Sequence, residues 1–126
     1  MILRWGAHCR PVYQTNAISA PFSGCLMVAW QVDGKTFVGH VAKDNQTKVS
    51  QSFETWEKTK VSFERYVEFD PWRLLVKPQN TKTCFGLIVF NYDLEDVTGY
   101  SLNTETDILG VSRIVNQIKG VNLRWK

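Results

Sequence analysis

Two strand-like runs, Cys25-Leu-Met-Val-Ala-Trp-Gln-Val32 and Lys35-Thr-Phe-Val-Gly-His40, flank the dipeptide Asp33-Gly34. Asp-Gly between apolar runs signals a two-residue hairpin turn, so the pattern predicts paired strands over about 25–31 and 36–42. In that register Val32 pairs with Lys35 and Met27 faces His40. Residues directly opposed share a sheet face, and so do residues two apart on one strand. Cys25 and His40 therefore fall on one face as diagonal neighbours, roughly 7–8 Å apart at the backbone.

Elsewhere the pattern is coarser. A strand is expected over 10–15, and Ala20-Pro21 biases the backbone toward an extended or turning form before Ser23-Gly24-Cys25. Residues 44–50 are polar and read as loop. Ser50 or Ser52 can cap a short helix carrying Phe53 and Trp56. Residues 61–69 alternate as a strand with Arg65 as the exception, Asp70-Pro71 ends it, and a short strand follows over 74–77. Residues 83–92 are nearly continuous apolar sequence, the pattern of a central buried strand, and 97–102 suggest another strand.

Thr104 to Asp107 has capping-box spacing, with Asp where Glu or Gln is usual. Ile108, Val111, Val115 and Ile118 then follow at helical spacing up to Gly120, which predicts the clearest helix of the chain. Residues 121–126 suggest a terminal strand. The expected class is α+β, with mixed or antiparallel sheets in a sandwich-like arrangement, one clear C-terminal helix and a short middle helix.

Composition narrows the partners more than the fold. The 126 residues make one domain, 1–126, large enough to bury a core without staples. Five Trp, seven Phe and four Tyr favour β-rich packing and a broad contact surface. A net charge of +3, spread over scattered Lys and Arg, argues against a nucleic-acid partner. Three cysteines, an odd number without CxxC spacing, argue against a disulfide framework. The first residues lack the apolar core of a secretory signal, and no run approaches the roughly 20 apolar residues of a membrane span. The expectation is a soluble protein with no membrane contact, either cytoplasmic or secreted as an effector without a classical signal peptide.

Cys25 and His40 are the strongest candidates for chemistry. A cysteine nucleophile acts as its thiolate, and a nearby imidazole lowers the thiol pKa below its free value of about 8.5. Gly24 lets the backbone turn tightly before the nucleophile, and backbone N–H groups at such a turn are natural oxyanion donors. The plain alternative is structural: Cys25 as a small buried hydrophobe and His40 as a hydrogen-bonded sheet residue.

The motif Phe22-Ser23-Gly24-Cys25, with His40 on the next strand, resembles the cysteine-dependent glutamine deamidases. That group includes the cytotoxic necrotizing factor toxins, the lethal factor toxin of Burkholderia and, sharing the fold, the chemoreceptor glutamine deamidases. Phe22 stands where the family motif usually has Leu. Some members carry a Thr six residues before the Cys that orients the His, and Ser19 occupies the matching position here. The resemblance covers about 19–40. It implies hydrolysis of a glutamine side chain of a protein substrate, with ammonia released and no cofactor or metal. Cys25, His40 and Ser19 would be the catalytic set, with Ser23, Gly24 and the Cys25 N–H at the substrate or oxyanion position.

Two further functions fit the same residues. One is a different Cys–His amidase, peptidase or acyl transferase. The second is a non-catalytic protein-binding module, or a catalytically dead relative, with an aromatic contact surface. Nothing in the pattern fixes an oligomeric state. His8 and Cys9 would complete a two-Cys, two-His set, but their adjacency fits no zinc pattern. Cys84 sits in an apolar run and reads as core. Trp56, Tyr66, Phe69 and Trp72 are interleaved with Glu54, Glu57, Glu64 and Glu68, which favours core packing or a protein contact over nucleic-acid stacking. Asp93, Glu95 and Asp96 lack calcium-loop spacing and read as a solvated turn.

Overall fold

The structure, a computed structural model, describes residues 2–3, 8–12, 16–22, 24–43, 50–74, 83–91, 96–106, 108–114 and 118–126. Ten strands appear among them: β1 (Ile2–Leu3), β2 (His8–Val12), β3 (Ala17–Ser19), β4 (Leu26–Val32), β5 (Lys35–Val41), β6 (Arg65–Phe69), β7 (Thr83–Asn91), β8 (Asp96–Thr106), β9 (Ser112–Ile114) and β10 (Lys119–Leu123). One α-helix, α1 (Ser50–Thr59), lies between β5 and β6, and 3-10 turns occupy Lys60–Ser62 and Pro71–Leu74.

Asp33 and Gly34 adopt positive φ, 52° and 75°, as a two-residue hairpin turn requires. The β4–β5 register follows from that turn, running from Val32 opposite Lys35 to Met27 opposite His40 and Leu26 opposite Val41. β2 and β6 flank the hairpin, giving the order β2-β5-β4-β6. The second sheet has the order β1-β3-β7-β8-β10, with β9 beside β8. Its pairings are antiparallel except β1 with β3. β7 is central in its sheet, but Cys84, Gly86 and Ile88 are buried while the alternate residues are only half-buried. The apolar run therefore has one core face and one partly wet face.

The core lies between the sheets. Cys25, Met27, Ala29, Val38, Val67 and Phe69 from one sheet form a single buried cluster with Ala17, Cys84, Ile88 and Val97 from the other. The opposite face of β4 and β5 carries Leu26, Val28 and Val41 and is covered by Trp56 and Phe53 of α1. β4 is thus apolar on both faces over 26–30, which is why that part of its sequence is an unbroken hydrophobic run. Trp56 Nε1 donates to Glu68 Oε2 at 2.6 Å, and Lys60 reaches Glu68 at 3.0 Å, tying the helix to β6.

The α+β expectation with a C-terminal helix is overturned: the chain is mostly β, and α1 is its one α-helix among the described residues. Residues 104–106 continue β8 and pair with 114–112 of β9 around a turn whose Gly110 has φ 82°. The β-branched Thr104, Thr106, Val111 and Ile114 suit strands, and Gly110 within the expected helix opposes it. Ile108, Val111 and Ile118 line no buried stripe; they are exposed by 102%, 61% and 47%. Asp107 and Val115 lie outside the described residues.

Smaller corrections have local causes. The strand expected over 61–69 starts at Arg65, because Lys60–Ser62 forms a 3-10 turn. At the start of the strand expected over 74–77, Leu74 instead closes the 3-10 turn Pro71–Leu74, and 75–77 lie outside the described residues. The strand expected over 10–15 is His8–Val12, and 13–15 likewise lie outside.

Candidate functional site

The chain crosses from the second sheet to the first between Ser19 and Cys25, through a cis Ala20–Pro21 bond. The Phe22 N–H donates to the Cys84 carbonyl at 2.9 Å, anchoring the crossover to β7. Gly24 has φ 123° with open space where a Cβ would stand, so its backbone conformation, not crowding, calls for glycine. Ser23 lies outside the described residues.

Cys25 precedes Leu26, whose partner is Val41, and shares the inner face with Met27 and His40. The hairpin thus brings the thiol and imidazole onto one face as diagonal neighbours. Ser19 completes the group from the other sheet: its Oγ and His40 Nδ1 share a hydrogen bond of 2.7 Å. Phe22 stacks on the imidazole with centroids 4.1 Å apart and planes 8° from parallel. A hydrogen bond in the ring plane and an aromatic face above it fix both the rotation and the tilt of His40.

The whole group is enclosed. His40 and Met27 are fully buried, Ser19 and Phe22 nearly so, and Cys25 is 6% exposed. Along the chain beside them, Gly24 and Ala20 are half-buried and Pro21 is exposed. A cavity of about 510 Å³ opens on the far side of Leu26, between Lys43, Phe53, Glu68 and Arg73, and neither Cys25 nor His40 lines it. That hollow lies away from the dyad.

Phe22 does more than its place in the motif suggests. It packs between His40 and Gly86 of β7, where an added Cβ would stand 2.8 Å from the Phe22 ring and 3.0 Å from Met27 Sδ. The glycine inside the apolar 83–92 run is the sequence sign of this close approach. Cys84 is core, 1% exposed, and burial pushes its thiol up to about 11 despite a contact with Ser101 Oγ at 3.6 Å.

His8 pairs in register with His40 across β2 and β5, while the side chains of His8 and Cys9 lie outside the described residues. Asp93 and Glu95 lie outside as well. Among the described residues no group of three or more His, Cys, Asp or Glu is placed to hold a metal ion. No helix among them is long and apolar enough to cross a membrane. The aromatics of the middle segment divide between the layers. Phe69 and Trp72 pack on the inter-sheet core, and Trp56 and Tyr66 join Trp30 and Phe63 beneath α1. No family model matches the chain, and no curated protein and no solved structure matches it.

Proposed function

We propose that the chain is a cysteine hydrolase of the toxin-type glutamine deamidase kind, acting on a glutamine side chain of a protein substrate. The observation that carries this is the Ser19 Oγ–His40 Nδ1 hydrogen bond of 2.7 Å, made by an imidazole on the same sheet face as Cys25. In the working tautomer Nδ1–H donates to Ser19 Oγ, which leaves Nε2 as the proton acceptor. His40 takes the thiol proton as Cys25 sulfur attacks the γ-carboxamide carbon, then gives it to the departing ammonia. Water, deprotonated by His40, attacks the resulting thioester, releases glutamate and restores the thiol. The Cys25 backbone N–H, with Gly24 freeing the turn, is the assigned donor to the oxyanion. The reaction suits a reducing compartment, where the thiol persists.

The test is incubation of the protein, and of Cys25→Ala, with a mixed protein extract. Ammonia release and glutamine-to-glutamate mass changes, both absent with Cys25→Ala, are the expected result. Released peptides without ammonia would point to a peptidase instead.

A non-catalytic relative that keeps the fold is the second reading, favoured by the burial of His40 and Cys25 at 0% and 6% exposure. It predicts neither product, and no difference between wild type and Cys25→Ala.

A further inference from the structure

An antiparallel strand with one wet face alternates apolar and polar residues, but Cys84-Phe-Gly-Leu-Ile-Val-Phe90 does not alternate. Cys84, Gly86 and Ile88 point into the core, which leaves Phe85, Leu87 and Val89 on the outer side of the second sheet. The register adds Ile18 and Tyr100, both opposite Leu87, and Leu102, opposite Phe85. All six are half-buried. Ile114, 52% exposed and opposite Thr104, extends the same side. The Tyr100 ring lies low over Gly120 of β10, where a Cβ would stand 2.8 Å from Cε1. The first sheet has α1 on its outer side; among the described residues no helix covers the second.

Charge is nearly absent from this side. Of its described strand residues Asp96 alone is charged, and it lies at one end. Glu105 and Arg113 pair with each other at 2.7 Å on the opposite side, and Lys119, opposite buried Ser101, also faces inward. The border is Thr83, Thr98, Thr104 and Asn122, polar and neutral. With strands about 4.8 Å apart and about 3.4 Å per residue, the eleven residues of β8 and three to four strands make a face of roughly 500–700 Å². A stable interface needs about 600–1,000 Å² from each partner, so the full extent of the face reaches the lower end of that range.

We propose that the outer side of the second sheet is the interface of a two-fold dimer, its occupant the same face of a second copy of this chain. In a two-fold interface one patch meets itself, so like charges on it would be brought together. A face of aliphatic and aromatic residues bordered by threonine meets itself with no such clash. It offers a charged partner nothing to pair with. Two copies of one sheet share the same twist, which lets them stack in alignment about 10 Å apart. The dimer places the two dyads on the far sides of the sheets that touch.

Light scattering of the wild-type chain from about 1 μM to about 1 mM tests this, beside Leu87→Lys, Leu102→Lys and a control, Val61→Lys, at a position 75% exposed on the 3-10 turn after α1. The expected wild-type result is the mass of two chains, with a urea midpoint that rises with protein concentration. Each lysine on the face buries an unpaired charge against the second copy and should weaken association about a hundredfold or more, with near-ultraviolet circular dichroism showing an intact core. Val61→Lys should remain a dimer. Where a face variant fails to fold, Ile114→Lys, at the exposed border, carries the same comparison. A wild type that stays a single chain at every concentration overturns the proposal, and so does one that binds phosphatidylcholine vesicles or a different protein as a single chain. Association as strong in the folded face variants as in Val61→Lys overturns it too.

Discussion

Gly86→Ala strikes the point where the second sheet presses on the ring that holds the imidazole. The new Cβ would stand 2.7 Å from Pro71 Cγ, 2.8 Å from Phe22 Cε2 and 3.0 Å from Met27 Sδ. All three neighbours are buried, with Phe22 at 1% and Met27 at 0% exposure, so none has solvent to move into. Overpacking of this kind costs about 1–3 kcal/mol. Loss of glycine freedom in the unfolded chain returns roughly 0.4–1 kcal/mol, leaving a net loss of about 1–2 kcal/mol. That lowers Tm by roughly 4 °C per kcal/mol for a domain of this size.

The consequence at the site is larger, because the displaced ring is the one stacked on His40 at 4.1 Å. A shift near 1 Å in a reacting group costs about a hundredfold in rate. Gly99→Ala is the control: its Cβ would meet the Phe69 ring at 2.9–3.0 Å, a similar clash against a ring that is not the one stacked on the imidazole. Urea unfolding and Cys25 alkylation are measured on both. The expected outcome is comparable loss of stability with slow labelling only in Gly86→Ala. Equal labelling in the two variants, or wild-type stability in Gly86→Ala, would refute this packing.

Three further outcomes are expected of the same structure. Ser19→Ala removes the hydroxyl bonded to a fully buried ring nitrogen and should cost about 1–3 kcal/mol by urea denaturation, together with slower Cys25 alkylation. Burial alone would raise the Glu68 carboxyl, but hydrogen bonds from Trp56 and Lys60 and the Lys60 charge outweigh it and hold it below 4.5. Its stabilising effect is therefore present above the unfolded carboxyl pKa and is lost as pH falls through the lowered folded value. Wild type should exceed Glu68→Gln in stability at pH 7 and converge with it in acid, read by tryptophan fluorescence. Ile108→Ser and Leu109→Ser, at positions exposed by 102% and 84%, should change stability by less than about 0.5 kcal/mol in thermal melts. A helix face packed on the core would lose several times that.

What is legible in the sequence is local. Asp33-Gly34 sets the hairpin register to the residue, and with it the shared face of Cys25 and His40. Phe53 and Trp56 mark the middle helix through their spacing. The segment 104–118 misleads because Ile108, Val111 and Ile118 satisfy a helical period while Gly110 and the β-branched neighbours satisfy a hairpin; pairing with β8 decides between them. Ser19 is flagged through the motif resemblance, but its bond to His40 depends on the second sheet folding over the first.

Activation of Cys25 by His40 is the central claim. Site-resolved iodoacetamide labelling of the folded protein from pH 5 to 9, with and without His40→Ala, tests it most directly. An activated dyad predicts that Cys25 labels well below the pH of an ordinary thiol, about 8.5. It also predicts that this advantage disappears in His40→Ala, while Cys84, pushed up to about 11, stays protected throughout. A Cys25 as slow as Cys84, or one whose pH profile is the same in His40→Ala, would contradict it.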